Sequence, residues 1–331
     1  VKANVVVLDC EGWNSGEFSV FSDLNGPNLP NVSAARHWRA CLQVPLGFVL
    51  QRYTRAIRPK DREHTMFGQK TQPSWFFSSA KHAEAVNRLV YLVECREPVA
   101  VLSGPDGSGR SRVLDRAGRE LKRAGDRVLM LSLAGLDSEG ALWQLVSRLS
   151  SGSVHAGSLR RPEMLHRLRD ELAGLSQCGT HTTLLLDDVH RADADTDVLL
   201  RFLVSLAASG SCSVSLVAAT ESEIPEALGD HVYLPVRLER FTAAESAGFA
   251  VEQLRRLGIE TEQMDGSALR AIHEVTRGLP LRLQQLCELL QAWTEAWPGS
   301  ELSADAVRMI GAEAFSPAAA EAPALRTLRM A

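Results

Sequence analysis

The sequence predicts an α/β fold: a five-stranded parallel sheet flanked by helices, followed by a smaller all-helical unit. Three observations predict it. Short apolar runs alternate with helical patterns between about residues 78 and 240. Strand-like runs stop after residue 241, and four helical patterns follow. A glycine-rich turn, Gly104-Pro105-Asp106-Gly107-Ser108-Gly109-Arg110-Ser111, joins the first apolar run to a helix. Short apolar strands that alternate with helices need both faces of their sheet covered, and this is the pattern of parallel sheets.

The elements follow in order. Ser78 or Ser79 caps a helix with apolar residues at 83, 86, 89, 90 and 93. Val99–Ser103 is a buried strand, and a helix runs from the glycine turn to about residue 124. "DRVLMLSL" at 126–133 is a second strand, and Asp137 or Ser138 starts a helix through "ALWQLVSRL". "SSGSVHAGS" at 150–158 has the composition of a flexible linker. "PEMLHRLRDELAGL" at 162–175 is a helix with proline in its first turn. "TTLLLDD" at 182–188, "CSVSLVAAT" at 212–220 and "HVYLPVRL" at 231–238 are the third, fourth and fifth strands, with the helix "TDVLLRFLVSLAAS" between the first two of these. The helical patterns "TAAESAGFAVEQLRRLG", "DGSALRAIHEVTRG", "LPLRLQQLCELLQAWTEA" and "SADAVRMIGAE" complete the ordered chain, two of them ending in glycine at 258 and 278.

The ends read differently. Residues 1–65 form an irregular N-terminal segment with little periodicity. All six methionines lie at position 66 or later and the chain opens with Val1. Met66 therefore reads as a natural start, with residues 1–65 an upstream extension. A genuine but irregular segment is the equal alternative. This gives an α/β domain over 66–240, a helical unit over 241–312 and a loose Ala/Pro-rich tail over 313–331.

Bulk composition narrows the functional classes. The 331 residues are 45% hydrophobic, enough for a sizeable core. A net charge of −4 is not the footprint of a dedicated nucleic-acid binder. Six cysteines form no CxxC pair, which points to reduced thiols and a cytoplasmic location rather than a disulfide framework or zinc site. No apolar run reaches the length of a membrane span.

The turn matches the phosphate-binding loop pattern GxxxxGK[ST] in all but one letter, with Arg110 where lysine is expected. Its glycines let the backbone curl around an anion, and the following helix aims its partly positive N-terminus at the same point. Ser111 offers a hydroxyl to Mg²⁺, and Arg110 holds the outer phosphates. A Gly/Ser-rich strand-to-helix connector is the bland alternative. "TTLLLDDVHRAD" favours the first reading, because a strand tip beside the loop needs one carboxylate for the magnesium shell and one to orient water. Asp187 suits the first role and Asp188 the second. A helix cap at Asp188 or Asp193 would also explain acids here.

The stretch from about Phe67 to Ala312 resembles the AAA+ P-loop ATPases of the general secretion pathway protein A (ExeA) type, and more loosely transposition-helper ATPases. The resemblance rests on "FGQKTQPSWFFSSAKHAEAVNRLVYLVE", the loop, "LLLDDVH" where that family ends a strand "DEAQ", and "VTRGLPLRLQQLCELL" where it has "GxPRRINLLCD". It implies strand order 5-1-4-3-2 and a helical AAA+ lid over 241–312. It also implies ATP and Mg²⁺ as ligands, with Gly104 to Ser111 and Arg112 around the nucleotide, and Ser111 and Asp187 at the metal. Asp188 takes the catalytic Glu position. Thr220 lies near the sensor position, or is an ordinary strand-end threonine. The lid arginine position is Leu281, and Arg282 beside it is a substitute γ-phosphate sensor or a helix-surface arginine. Arg237 and Arg240 are arginine-finger candidates in a homo-oligomer, or solvated charges flanking a strand.

The departures at 110, 188 and 281 preserve anion attraction better than catalysis. Guanidinium is wider than ammonium, and aspartate is one methylene shorter than glutamate. The resulting reading is a slow or conditional ATPase acting on a protein partner such as a secretion or pilus assembly. The alternatives are a nucleotide-binding adaptor that does not hydrolyse ATP, and a DNA-associated transposition helper.

Overall fold

The structure, a computed structural model, describes residues 75–150, 159–191, 193–221, 223–259, 264–297, 299 and 301–315. The expectations for residues 1–65, for the linker and for the tail beyond 315 lie outside these.

Helix α1 (Ala80–Glu94) opens the described chain, with Ser79 accepting from the His82 N–H as its N-cap. Strand β1 (Val99–Ser103) and helix α2 (Arg110–Ala124) flank the glycine turn. Then come β2 (Arg127–Ser132), α3 (Ser138–Leu149), α4 (Arg161–Gln177) and β3 (Thr182–Asp187). A 3₁₀ turn, Val189–Arg191, leads to α5 (Ala194–Ala208). Strand β4 (Val214–Thr220), the four-residue helix α6 (Glu226–Gly229) and β5 (Val232–Arg237) complete the sheet region. Asp137 caps α3 and Asp193 caps α5, so of the two cap candidates after β3 the structure uses Asp193.

The sheet is parallel with order β2-β3-β4-β1-β5, the order 5-1-4-3-2 that the family resemblance implies. Alternation along each strand builds two cores. Val99, Val101, Leu184, Leu186, Leu216 and Ala218 face α3, α4 and α5. Ala100, Leu102, Leu185, Val217 and Ala219 face α1 and α2. The central strands β1, β3 and β4 are buried throughout, as a doubly covered sheet requires. Pro235 lies in β5, which a ladder tolerates because β5 is an edge strand, and the β1–β5 register shifts between Val99 and Val101.

Helices α7 (Ala243–Arg256), α8 (Gly266–Thr276), α9 (Pro280–Ala296) and α10 (Ala304–Ala314) follow β5. They contact one another and bury Leu254, Ile272, Leu283, Leu286, Leu290, Val307 and Ile310. The α8–α9 turn returns to the start of the helical unit, where Phe241 N–H donates to the Gly278 carbonyl at 2.8 Å. Gly278 has φ +68°, and a Cβ there would collide with the Phe241 carbonyl, so only glycine fits. No described helix is long and apolar enough to cross a membrane.

Candidate nucleotide site

The site assembles at the C-terminal ends of β1, β3 and β4, where open parallel sheets leave room for ligands. Gly104 follows β1 and its N–H donates to Glu221 O at 3.1 Å, just past β4. Gly109 caps α2 with φ +95° and supplies no side chain, so the helix N-terminus is left open. Among the described residues, the N–H groups of Gly109, Arg110 and Ser111 bond no protein acceptor. Ser111 and Arg112 are exposed at that end. Free N–H groups on an uncapped helix start are the donor set an anion requires.

Asp187 and Ser111 meet across the loop. Asp187 ends β3 at 4% exposure, and its carboxylate accepts the Asp188 N–H at 2.9 Å. Burial pushes the Asp187 carboxyl above its ordinary value and the charge of Asp188 adds to this, while a hydrogen bond from Ser111 and the charge of Arg110 oppose them. A buried carboxylate beside a hydroxyl offers the oxygen donors that a hard cation takes. Asp188 adopts φ +55°, an uncommon conformation for a residue other than glycine. Its carboxylate accepts from the Ser132 hydroxyl at 3.3 Å and lies 3.9 Å from the Arg110 guanidinium.

Arg110 is turned inward and is 6% exposed. One terminal nitrogen donates to the Gly104 carbonyl, and the other donates to Asp106 at 2.8 Å. Asp106 also accepts from Arg191 at 3.0 Å. Partial burial raises the Asp106 carboxyl, but the hydrogen bond and charge of Arg110, joined by Arg191, hold it below the ordinary carboxylate value.

Two further elements brace the loop. His82 of α1 lies 2.8 Å from the Ser108 carbonyl through Nε2 and 3.0 Å from Ser79 Oγ through Nδ1. A carbonyl accepts only, so Nε2 carries the proton and Nδ1 accepts from the Ser79 hydroxyl. His82 packs against Phe241, with ring centroids 5.0 Å apart, in a cluster with Phe76, Phe77, Trp75 and Phe249. At the other side, Leu281 N–H of α9 donates to the Gly107 carbonyl at 3.1 Å. The cradle is thus gripped by α1 and by the first turn of α9. Ser108 Oγ is buried with no hydrogen-bond partner.

The remaining candidates lie elsewhere in the local geometry. Thr220 pairs with Ser103 in register, but its hydroxyl donates to the Glu223 carbonyl at 2.8 Å, which closes the turn after β4. Arg282 stacks its guanidinium 5.4 Å from the Phe315 ring. Arg237 pairs with Ser103 at the end of β5, and Arg240 is exposed beyond it. His82, Arg191 and the backbone of Leu281 were missed by the sequence reading. Position 82 belongs to the buried stripe of Ala85, Val86, Leu89 and Val93, and a titratable residue in that stripe was the available signal.

Residues 94–228 match a family model described as an AAA domain. Among solved structures the chain is similar to the Orc1 protein of Aeropyrum pernix in complex with DNA, with 16% identity, TM-score 0.55 and coverage of 70% of this chain and 65% of that one. It is also similar to Cdc6p of Pyrobaculum aerophilum, with 15% identity, TM-score 0.53 and coverage of 70% and 66%. A RuvB mutant of Thermotoga maritima aligns with 14% identity, TM-score 0.49 and coverage of 73% and 72%. The fold is that of an AAA+ P-loop domain followed by a helical region.

Proposed function

We propose that this chain binds ATP and ADP with Mg²⁺ at the loop Gly104–Ser111, hydrolyses ATP slowly, and uses the nucleotide to set its state toward a protein partner. The observation that carries this reading is the pairing of Ser111 with the buried Asp187 at the open N-terminus of α2. Backbone donors there suit a phosphate tail, and a hydroxyl beside a carboxylate suits Mg²⁺. Bound Mg²⁺ would supply charge neutralisation to the outer phosphates. It would also relieve the desolvated Asp187.

The roles follow. Gly104, Pro105, Asp106, Gly107, Ser108 and Gly109 shape the cradle. Arg110 offers its charge to the phosphates, with Arg112 exposed at the same helix end. Asp188, at the family's catalytic-acid position, is the group we assign to orient water. Thr220 and Arg282 remain nucleotide-sensing candidates only through the family resemblance, since the hydroxyl of one closes a turn and the guanidinium of the other stacks on Phe315. Slow turnover follows from the shape of Arg110 and the length of Asp188, because transition-state charge needs donors at fixed places. The resemblance extends the reading to secretion or pilus assemblies and to a homo-oligomer, and the unpaired cysteine pattern extends it to a cytoplasmic setting.

A specific observation favours the non-hydrolysing adaptor as the second reading: Arg110 is committed to Asp106 and Gly104. Single-turnover hydrolysis of radiolabelled Mg–ATP separates the two. The slow-ATPase reading expects turnover well below about one per second, and the adaptor reading expects none. Ordinary turnover of about one per second or faster overturns both.

A further inference from the structure

Arg110 and Asp106 sit in one loop, and a phosphate and the Asp106 carboxylate compete for the same guanidinium. The guanidinium is the only loop cation, and a phosphate tail needs it. The carboxylate already holds it at 2.8 Å. Arginine's fork lets it bond two acceptors at once, and it spans the loop from Gly104 to Asp106. Arg191, on the 3₁₀ turn after β3, grips the other Asp106 oxygen at 3.0 Å and ties the latch to the strand that carries Asp187. A lysine at position 110 would have one compact ammonium and no fork, so the departure from the loop pattern and the latch are two sides of one arrangement.

We propose that Asp106 is an affinity-determining residue that holds Arg110 as an internal stand-in for phosphate, so that a nucleotide enters only by taking the guanidinium from it. The proposal rests on the nucleotide reading of this loop. It makes Asp106 a positioning residue that acts through Arg110. It predicts that removing the carboxylate tightens binding, a direction that damage to the fold does not produce. Asp106 is half-exposed, so its replacement by the isosteric amide leaves the fold intact.

The test is titration calorimetry on the full chain with two probes, Mg–ATP and inorganic tripolyphosphate. The proteins are wild type, Asp106→Asn, Arg110→Met and the double variant. Asp106→Asn is expected to bind both probes about tenfold tighter, the scale of one charge-assisted contact. In the Arg110→Met background the same change is expected to have less than about a twofold effect. Binding by Asp106→Asn where the wild type binds nothing supports the latch in its strongest form. If the wild type binds and Asp106→Asn gains nothing, the latch is wrong and the nucleotide reading stands. A gain that persists in full without Arg110 also overturns the latch, because it shows plain charge repulsion. If no variant binds either probe, the nucleotide reading fails and the latch with it.

Discussion

The imidazole of His82 lies 2.8 Å from the carbonyl of Ser108, and this contact fixes the inner wall of the loop from a helix 26 residues away. The same ring packs edge-on against Phe241, the residue that bonds Gly278 at the start of the helical unit. One side chain therefore touches the loop, the sheet's first helix and the entry to α7. A ligand that shifts Ser108 moves the partner of all three.

His82 gives a pH signature. Burial pushes its pKa down from the ordinary value, more than the Ser108 carbonyl raises it. The folded value is depressed, so the stability it contributes is present above the unfolded pKa of about 6.5 and is lost as pH falls through the folded value. Replacing His82 with Leu leaves the Ser108 carbonyl unpaired, at a cost of about 1–3 kcal/mol near pH 7. Melting curves from pH 8 to 5 are expected to converge for the two proteins as pH falls. Parallel curves would remove His82 from the account.

Asp187 has the opposite sign. Burial raises its folded pKa, so its favourable contribution is complete below the unfolded pKa of about 3.9 and is lost as pH rises through the folded value. At pH 7 it is a desolvated charge. Without nucleotide, Asp187→Asn is expected to raise the melting temperature at pH 7, by roughly 2–4 °C for each kcal/mol relieved. The gain should shrink toward acid pH, and Mg²⁺ should no longer strengthen ATP binding. A lower melting temperature at pH 7 would show that the carboxylate stabilises the fold by itself.

Gly278 is a structural prediction. Its φ of +68° and the Phe241 carbonyl beside it leave no place for a Cβ. Gly278→Ala is expected to cost about 3 kcal/mol or more in chemical denaturation, above the usual cost of a point change. A loss below about 1 kcal/mol would mean the α8–α9 turn relaxes freely.

Turnover tests the altered letters. Arg110→Lys restores a compact charge and cannot span Gly104 and Asp106 together. Its ATP hydrolysis rate is expected to exceed the wild type, and Asp188→Glu added to it should raise the rate again. Steady-state phosphate release measures both. Equal rates in all three proteins would place the limitation outside positions 110 and 188.

Most of the fold was legible because its signals are local. Strands β1 and β3 are contiguous apolar runs that end at the glycine loop and at paired acids, and each lies within two residues of its expected place. The strand order, with β4 between β1 and β3, carries no local signal and was implied only by the family resemblance. The 3₁₀ turn Val189–Arg191 and helix α6 went unread because each is about one turn long and shows no period. His82 was invisible as a loop brace because its partner is a backbone carbonyl, which carries no residue identity. Leu281 illustrates the same limit. Sequence reading saw only a missing arginine, while the structure uses the N–H of that position on Gly107. The inward turn of Arg110 was unreadable because it depends on which of two nearby oxygens wins the guanidinium.

Binding of nucleotide phosphates by the loop is read directly from the melting temperature of the full chain titrated with Mg–ATP. At 100 times the dissociation constant, a ligand that binds only the folded state adds about 2.7 kcal/mol. A saturable rise of roughly 5–10 °C is expected, shared by Mg–ADP and abolished in Ser111→Ala combined with Asp187→Ala. An unchanged melting curve at millimolar Mg–ATP would contradict it and leave Gly104–Ser111 a strand-to-helix turn.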